Sequence, residues 1–275
     1  MLNVGKILIS FLLLYFVFKK IPIKQITELW KTMEFLPFII AAALFLLSQF
    51  TSTLRLSCFF EAKGFNLTFL SNLKLYFLGM FYNFFIPGGI GGDAYKVFIL
   101  NRKFKWKVKV LTSAIFHDRL NGLLAIVFLV LGLFAILEPK FRIITLIGLL
   151  VFVLITIVVV KYLFPSYRKI YGKTSLLSLV IQLLQATSFI LVLFSIGIEE
   201  NLFAYALLFL GSSILSLLSF AGIGTREMLF LLAAQYFHIS EIEAVSASIL
   251  FTFITAFFSL IGLYYQIRVL NLKTT

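Results

Sequence analysis

Charged residues are scarce in this chain of 275 residues. They make up 13% of the total, while hydrophobic residues make up 61% and the mean hydropathy is +1.08. Soluble domains usually contain about 25% charged residues, so the low charge excludes an ordinary water-soluble globular protein. Apolar runs long enough to cross a hydrocarbon core about 30 Å thick recur along the chain instead.

Cysteine and histidine are also rare, with Cys58 as the single cysteine and His117 and His238 as the two histidines. One cysteine excludes an intramolecular disulfide, and two distant histidines give no zinc-ligand spacing. The chain also lacks the Gly-Lys-Ser/Thr of a phosphate-binding P-loop. We therefore predict no metal and no other cofactor.

Acidic residues are outnumbered, 11 against 24 basic ones, which gives a net charge of +13. A nucleic-acid-binding protein would gather such charge on one face of a soluble domain, so we predict no nucleic-acid partner. Basic residues in short connections are typical of cytoplasmic loops beside transmembrane helices. Two such basic loops are predicted, formed by Lys96, Arg102, Lys103, Lys105, Lys107 and Lys109, and by Lys161, Arg168, Lys169 and Lys173.

The apolar segments predict an all-α, polytopic membrane helix bundle of about eight transmembrane helices. No linker or shift in composition divides them, so we predict a single membrane domain over residues 1–275. The segment at 226–237 is too short to cross comfortably and is predicted to be half of a broken or re-entrant helix. The predicted segments lie at 4–18, 36–60, 68–87, 110–137, 142–163, 174–198, 202–221, 226–237 and 243–267.

Two glycine-rich stretches, at 83–93 and 219–227, interrupt the apolar pattern in a related way, because Gly89-Ile90-Gly91 lines up with Gly222-Ile223-Gly224. Unwound backbone is tolerated at membrane depth only where protein or a wet cavity surrounds it. Paired interruptions in two halves of a chain point to a transporter's binding site. We therefore predict two broken or re-entrant helices in pseudo-repeated halves.

The breaks have the chemistry of an anion site. Glycine lets backbone N–H groups approach a ligand closely, and the start of each following helix carries partial positive charge. Lys96, one turn beyond Asp93, and Arg226 would add cationic donors, so a lipid phosphate is the expected ligand. The alternative is that the glycines only permit close helix packing.

Three ionisable residues, Arg55, Asp118 and Arg119, lie within apolar segments, where charge is costly and often marks a pathway. Asp118 and Arg119 project about 100° apart on a helix, so we expect each to pair with another helix. Either Asp118 or Glu227 would also serve as a proton carrier. A buried network is predicted among Asp93, Asp118, Glu227, Arg55, Lys96, Arg119 and Arg226, with purely structural ion pairs as the alternative.

Three motifs resemble, in the same order, the transmembrane flippase-like domain of lysylphosphatidylglycerol synthases. They are Asn83 with Pro87-Gly88-Gly89-Ile90-Gly91-Gly92-Asp93, then Asp118-Arg119, then Gly222-Ile223-Gly224 with Arg226-Glu227. The resemblance covers nearly the whole chain. Departures are Phe220-Ala221, where the family often has Pro-Gly, and Lys96, where arginine is common.

The resemblance implies an integral protein of a prokaryotic plasma membrane that moves a lipid between leaflets. The expected substrate is an anionic or aminoacylated phospholipid or a polyprenyl-phosphate-linked lipid. Two alternatives stay open: a membrane enzyme using Asp93, Asp118 or Glu227 as acid or base, and a scaffold that docks a separate lipid synthase as its partner. The predicted substrate-binding residues are Arg55, Asn83, Pro87, Gly88, Gly89, Gly91, Gly92, Asp93, Lys96, Asp118, Arg119, Gly222, Gly224, Arg226 and Glu227.

Overall fold

The structure, a computed structural model, describes residues 12, 14–85, 91–215, 224–267 and 270–275. Within these ranges the chain is almost entirely helical, and the described part contains an isolated β-bridge between Leu67 and Thr274 but no β-strand. The predicted all-α class is confirmed.

The helices follow the predicted apolar segments closely. One helix, α1, was not predicted, because it lies in a polar connection. Short 3₁₀ turns that begin with Pro139 and Pro165 lead into α6 and α7, since proline suits the first turn of a helix. Residues 14–20 are helical. The helices that follow them are α1 (Ile23–Trp30), α2 (Phe35–Glu61), α3 (Phe69–Phe85), α4 (Gly91–Phe104), α5 (Val108–Leu137), α6 (Arg142–Leu163), α7 (Arg168–Ser195), α8 (Leu202–Leu215), α9 (Thr225–Ala233) and α10 (Glu241–Ile267).

Among the described residues, five helical spans are long and apolar enough to cross a membrane: Phe35–Glu61, Val108–Leu137, Pro139–Leu163, Pro165–Ser195 and Glu241–Ile267. The outward faces of these helices are hydrophobic; Ile143 on α6, for example, is 76% exposed. Such a surface needs lipid rather than water around it. The protein is a polytopic membrane helix bundle, and the count of about eight spans stays a prediction.

Both predicted basic loops lie at one end of the bundle, here called the basic end. Lys63, after α2, donates a 2.8 Å hydrogen bond to Ser166 in the turn before α7. Phe65 stacks on Trp106 in the loop between α4 and α5, with ring centroids 4.4 Å apart. The assignment of these basic residues to loops was largely wrong, because the helices extend through the basic runs. Of the first predicted loop, only Lys105 and Lys107 lie between helices, and the residues of the second lie at the end of α6 and the start of α7. Lys96 lies within α4 and is only 2% exposed.

Two helix pairs enter the bundle from opposite ends. The first, α3 and α4, begins and ends at the basic end, where Phe104 stacks on Trp106. The second, α8 and α9, begins and ends at the other end, where Tyr236 donates to Glu138 after α5. The two helices of each pair pack against each other. We call these pairs hairpin A (α3 and α4) and hairpin B (α8 and α9).

The helix α9 of hairpin B is too short to cross a bilayer by itself. With nine residues, α9 extends about 14 Å, far less than a bilayer core. This length agrees with the predicted re-entrant or broken helix. The breaks themselves, residues 86–90 and 216–223, lie outside the described residues.

Aromatic packing fixes hairpin B against the long helices. Phe189 of α7 stacks on Phe209 of α8 with ring centroids 4.7 Å apart, and Phe230 of α9 lies 5.4 Å away. Phe251 of α10 contacts Phe209 edge to face at 4.8 Å. This buried cluster fixes hairpin B against α7 and α10.

Candidate functional site

A cavity of about 1170 Å³ lies where the inner parts of the two hairpins meet. Its walls come from both hairpins, from α5 and α10, from Phe45 and Gln49 of α2, and from Gln185 of α7. It is larger than most small-molecule pockets, which measure about 300–1000 Å³. Most of the lining is apolar or aromatic, so its charged groups stand out.

One charged cluster joins α4 to α5. Arg119 donates to both carboxylate oxygens of Asp93, at 2.8 and 2.9 Å. Lys96, one turn after Asp93, donates to Oδ1 of the same carboxylate at 3.2 Å and lies 4.8 Å from the centre of the Tyr76 ring. A single carboxylate is thus shared by two cations.

Arg226 is the second cationic feature of the cavity. Its Nε donates to Ser212 at 3.2 Å, and its guanidinium carbon lies 5.3 and 5.2 Å from the ring centres of Phe209 and Phe251. In the described part of the chain, which includes every aspartate and glutamate, no carboxylate forms an ion pair with Arg226. Arg226 therefore has no acidic side chain as a direct ion-pair partner in the described part of the chain.

Glu227 follows Arg226 in sequence but has a different role. Its carboxylate accepts a 2.8 Å bond from the N–H of Gly224 and a 3.0 Å bond from the Ser248 hydroxyl. Gly224 has φ +83°, a left-handed conformation that favours glycine, and it precedes the first residue of α9. Glu227 thus caps α9, as an acidic residue in the first turn often does.

Hairpin A is held together by a close approach of glycines. A Cβ atom on Gly92 would overlap the carbonyl of Gly79, so α3 and α4 can cross this closely only with glycine there. The N–H of Gly92 donates to Oδ1 of Asn83 at 2.9 Å. Gly91 is less constrained, since a Cβ atom added there would lie 3.9 Å from its nearest neighbour, the Tyr82 carbonyl oxygen.

A second ion pair lies away from the cavity. Arg55 of α2 donates to Asp118 of α5 at 2.8 and 3.2 Å, and to Ser178 of α7 at 2.8 Å. Both charged side chains are about 5% exposed, and neither lines the cavity. A Cβ atom on Gly122 would lie 3.0 Å from Nη1 of Arg55. The pair joins three helices, so the structure divides the predicted network into separate parts.

The predicted site residues fall into three groups. Five line the cavity: Asn83, Asp93, Lys96, Arg119 and Arg226. Six others are described but do not line it: Arg55, Gly91, Gly92, Asp118, Gly224 and Glu227. Four lie outside the described residues: Pro87, Gly88, Gly89 and Gly222.

Other lining residues were not predicted as site residues. Gln49 and Gln185 both donate to the Ser48 hydroxyl, and both line the cavity. Their polarity on apolar helices was the available signal. Phe209 and Phe251 gave no signal, because the chain contains 34 phenylalanines.

The fold and the cavity define a polytopic integral membrane protein with a charged site enclosed between two hairpins. The family model of the lysylphosphatidylglycerol synthase TM region matches residues 3–173, which include Asp93, Lys96 and Arg119. This is more than half of the chain, so the chain belongs to that family. The search of curated proteins gives no match. Family membership identifies a membrane domain associated with lipid modification or translocation.

Proposed function

We propose that the protein is a lipid translocase that binds a phosphate-bearing headgroup in the cavity while the lipid tails stay in the bilayer. One observation carries this proposal. Asp93 and Lys96 of hairpin A, Arg119 of α5 and Arg226 of hairpin B line a single cavity. Sites between paired half-helices that enter from opposite sides are typical of transporters that work by alternating access.

Arg226 is the expected first contact of the phosphate. The guanidinium is a planar donor that suits phosphate oxygens, and it lines the cavity. The faces of Phe209 and Phe251 hold the guanidinium in place without neutralising it. A bound phosphate would supply the direct ion-pair partner that no described carboxylate provides.

Arg119 offers a way to couple binding to movement. Its side chain is 46% exposed and bonded to Asp93, so a phosphate entering the cavity competes with that carboxylate for the guanidinium. Such a change of partner would loosen α4 from α5. Movement of hairpin A relative to α5 would then open or close one side of the cavity.

A path for the tails exists between α4 and α5. Phe98 and Phe116 line the cavity and are 55% and 58% exposed, so apolar surface continues from the cavity to the outside of the bundle. Val108, nearer the basic end, also lines the cavity and is exposed. Acyl chains would rest against these side chains while the headgroup occupies the polar interior.

Leaflet exchange of fluorescent lipids in proteoliposomes tests the proposal. The native protein should accelerate exchange of an anionic lipid, and Arg226→Gln should slow it by about 10-fold to 100-fold, as expected for losing one charged contact. Asp93→Asn should slow it as well, because Lys96 and Arg119 lose their shared partner. Lys169→Gln is the matched control, since Lys169 is exposed in the first turn of α7 and does not line the cavity. Absent exchange, or equal exchange in all four proteins, would contradict the proposal.

A further inference from the structure

A second, smaller cavity lies between α5, α6 and α7, with Phe59 of α2 in its wall. It measures about 220 Å³, and the surface of its lining is almost wholly apolar. His117 and Asn121 of α5 line this cavity, whereas Phe116 and Arg119 line the larger one. The two cavities therefore lie on different faces of one helix, and the smaller one is not part of the proposed headgroup site.

His117 carries a buried polar atom without a partner. Its Nδ1 lies 2.7 Å from the backbone carbonyl of Ser113, which can only accept, so Nδ1 carries the proton. In a neutral imidazole the other nitrogen is then an acceptor. That nitrogen, Nε2, is buried, and no donor from the described part of the chain reaches it. A buried acceptor without a donor is costly, so a ligand that brings a donor gains affinity.

The other polar side chains that line the cavity already interact with protein groups. Asn121, for example, donates to Ser175 at 3.1 Å and accepts from the Ser178 hydroxyl. The same holds for Thr156, Tyr167 and Tyr171. A buried water needs two to four polar partners, and the described lining provides one unpaired atom. The site therefore suits an apolar molecule with a single donor better than it suits water.

The size and position of the cavity indicate what can enter it. An apolar cavity of about 150 Å³ binds benzene, so a cavity of about 220 Å³ has room for about nine non-hydrogen atoms. Ile155 of α6 lines the cavity and is 56% exposed, so apolar surface continues from the cavity to the outside of the bundle. A ligand would therefore enter from the bilayer.

We propose that this cavity binds an apolar alcohol dissolved in the membrane, whose hydroxyl donates to Nε2 of His117 and whose hydrocarbon body lies between α5, α6 and α7. The rings of Phe164 and Tyr167, each centred 4.4 Å from the centre of the imidazole, fix its orientation. An alkane or an ether of the same size would leave Nε2 unpaired. The site does not depend on lipid translocation.

Photolabelling of the purified protein in lipid nanodiscs at pH 8 tests the assignment. The probes are 1-hexanol with a diazirine on its chain and the methyl ether of the same alcohol, which cannot donate a hydrogen bond. Mass spectrometry measures the labelling of the cavity residues relative to Ile143, on the lipid-facing side of α6, to correct for the amount of each probe in the bilayer. The alcohol should label the cavity about threefold to tenfold more than the ether, as expected for one hydrogen bond.

Two variants separate the hydrogen bond from the space. His117→Phe keeps a flat ring but removes the acceptor, so the alcohol should label no more than the ether. Val160→Phe fills the cavity and keeps the imidazole, so labelling by both probes should fall to the level at Ile143. His238→Asn is the matched control and should keep the native preference, because His238 is exposed and lies outside the cavity. Asparagine tolerates the positive φ of 52° at that position.

Each contrary result overturns a stated part of the proposal. Equal labelling by the alcohol and the ether in the native protein would overturn the alcohol class. Cavity labelling no stronger than that at Ile143, or labelling unchanged in Val160→Phe, would overturn the site. A preference for the alcohol that persists in folded His117→Phe would overturn the role of Nε2. If His117→Phe does not fold, the native comparison and Val160→Phe still decide, and none of these measurements depends on leaflet exchange.

Discussion

Asp118 and Arg119 are neighbours on α5 but bind different helices. Asp118 accepts from Arg55 of α2 at 2.8 Å, inside the bundle, while Arg119 donates to Asp93 of α4 at 2.8 Å, beside the cavity. Successive helical residues project about 100° apart, so one helix supports two separate charge clusters. The first cluster should govern stability, and the second should govern ligand binding.

Asp118→Asn should therefore destabilise the protein. Arg55 would keep its buried charge without a carboxylate, which costs about 3–5 kcal/mol of unfolding free energy when one partner of a buried pair is removed. Thermal unfolding in detergent measures the effect as a lower Tm. Glu61→Gln is the matched control, because Glu61 is exposed and forms no ion pair within the described residues. An unchanged Tm for Asp118→Asn would contradict the structural role of the pair.

Gly92→Ala should separate α3 from α4. The added Cβ would overlap the Gly79 carbonyl, and relieving the overlap should cost about 1–3 kcal/mol, as overpacking does. Gly172→Ala, in α7, is the matched control, since no atom lies within 4 Å of its added Cβ. Helix propensity predicts that this control is neutral or more stable by about 1 kcal/mol. Equal Tm values for the two variants would show that the close crossing is not needed.

Glu227→Gln and Glu227→Leu distinguish a helix cap from a proton carrier. Glutamine keeps an acceptor oxygen for the N–H of Gly224, so Glu227→Gln should retain most of the leaflet exchange. Leucine removes the acceptor, so Glu227→Leu should lower stability by about 1 kcal/mol and slow exchange. Complete loss of exchange in a well-folded Glu227→Gln protein would indicate that the carboxylate carries protons.

The helices and one side-chain relationship were predictable from the sequence. Apolar runs bounded by polar residues fixed α2 to within a residue or two, 36–60 against Phe35–Glu61. The separate partners of Asp118 and Arg119 followed from helix geometry alone. The bounds of α4 were not predictable from the sequence. The basic run that includes Arg102 and Lys103 suggested a loop where the helix continues.

The composition of the cavity was only partly predictable. The sequence shows how deep a charged residue lies in an apolar segment but not the direction in which its side chain points. Arg55 and Arg119 were therefore equally good candidates for lining the cavity. The structure places Arg55 inside a three-helix contact and Arg119 on the cavity wall. The rings of Phe209 and Phe251 reach Arg226 through tertiary packing of α8 and α10, which no local pattern encodes.

Arg226→Lys tests whether the shape of the cation matters as well as its charge. Lysine keeps the positive charge but loses the planar contacts with Phe209 and Phe251 and the fork of donors. Exchange of an anionic lipid should fall by about threefold to tenfold, between the native rate and that of Arg226→Gln. A lysine variant as slow as Arg226→Gln would show that charge alone does not sustain exchange.

Reversible blockage of the cavity tests the central claim most directly. Thr255 lines the cavity on α10, and Cys58 is a buried thiol, so Thr255→Cys in a Cys58→Ala background offers one reactive position. Modification by a negatively charged methanethiosulfonate, verified by mass spectrometry, would place an anion in the headgroup site. Leaflet exchange should stop on modification and return when a reductant removes the label. Exchange that continues unchanged in fully labelled protein would contradict transport through this cavity.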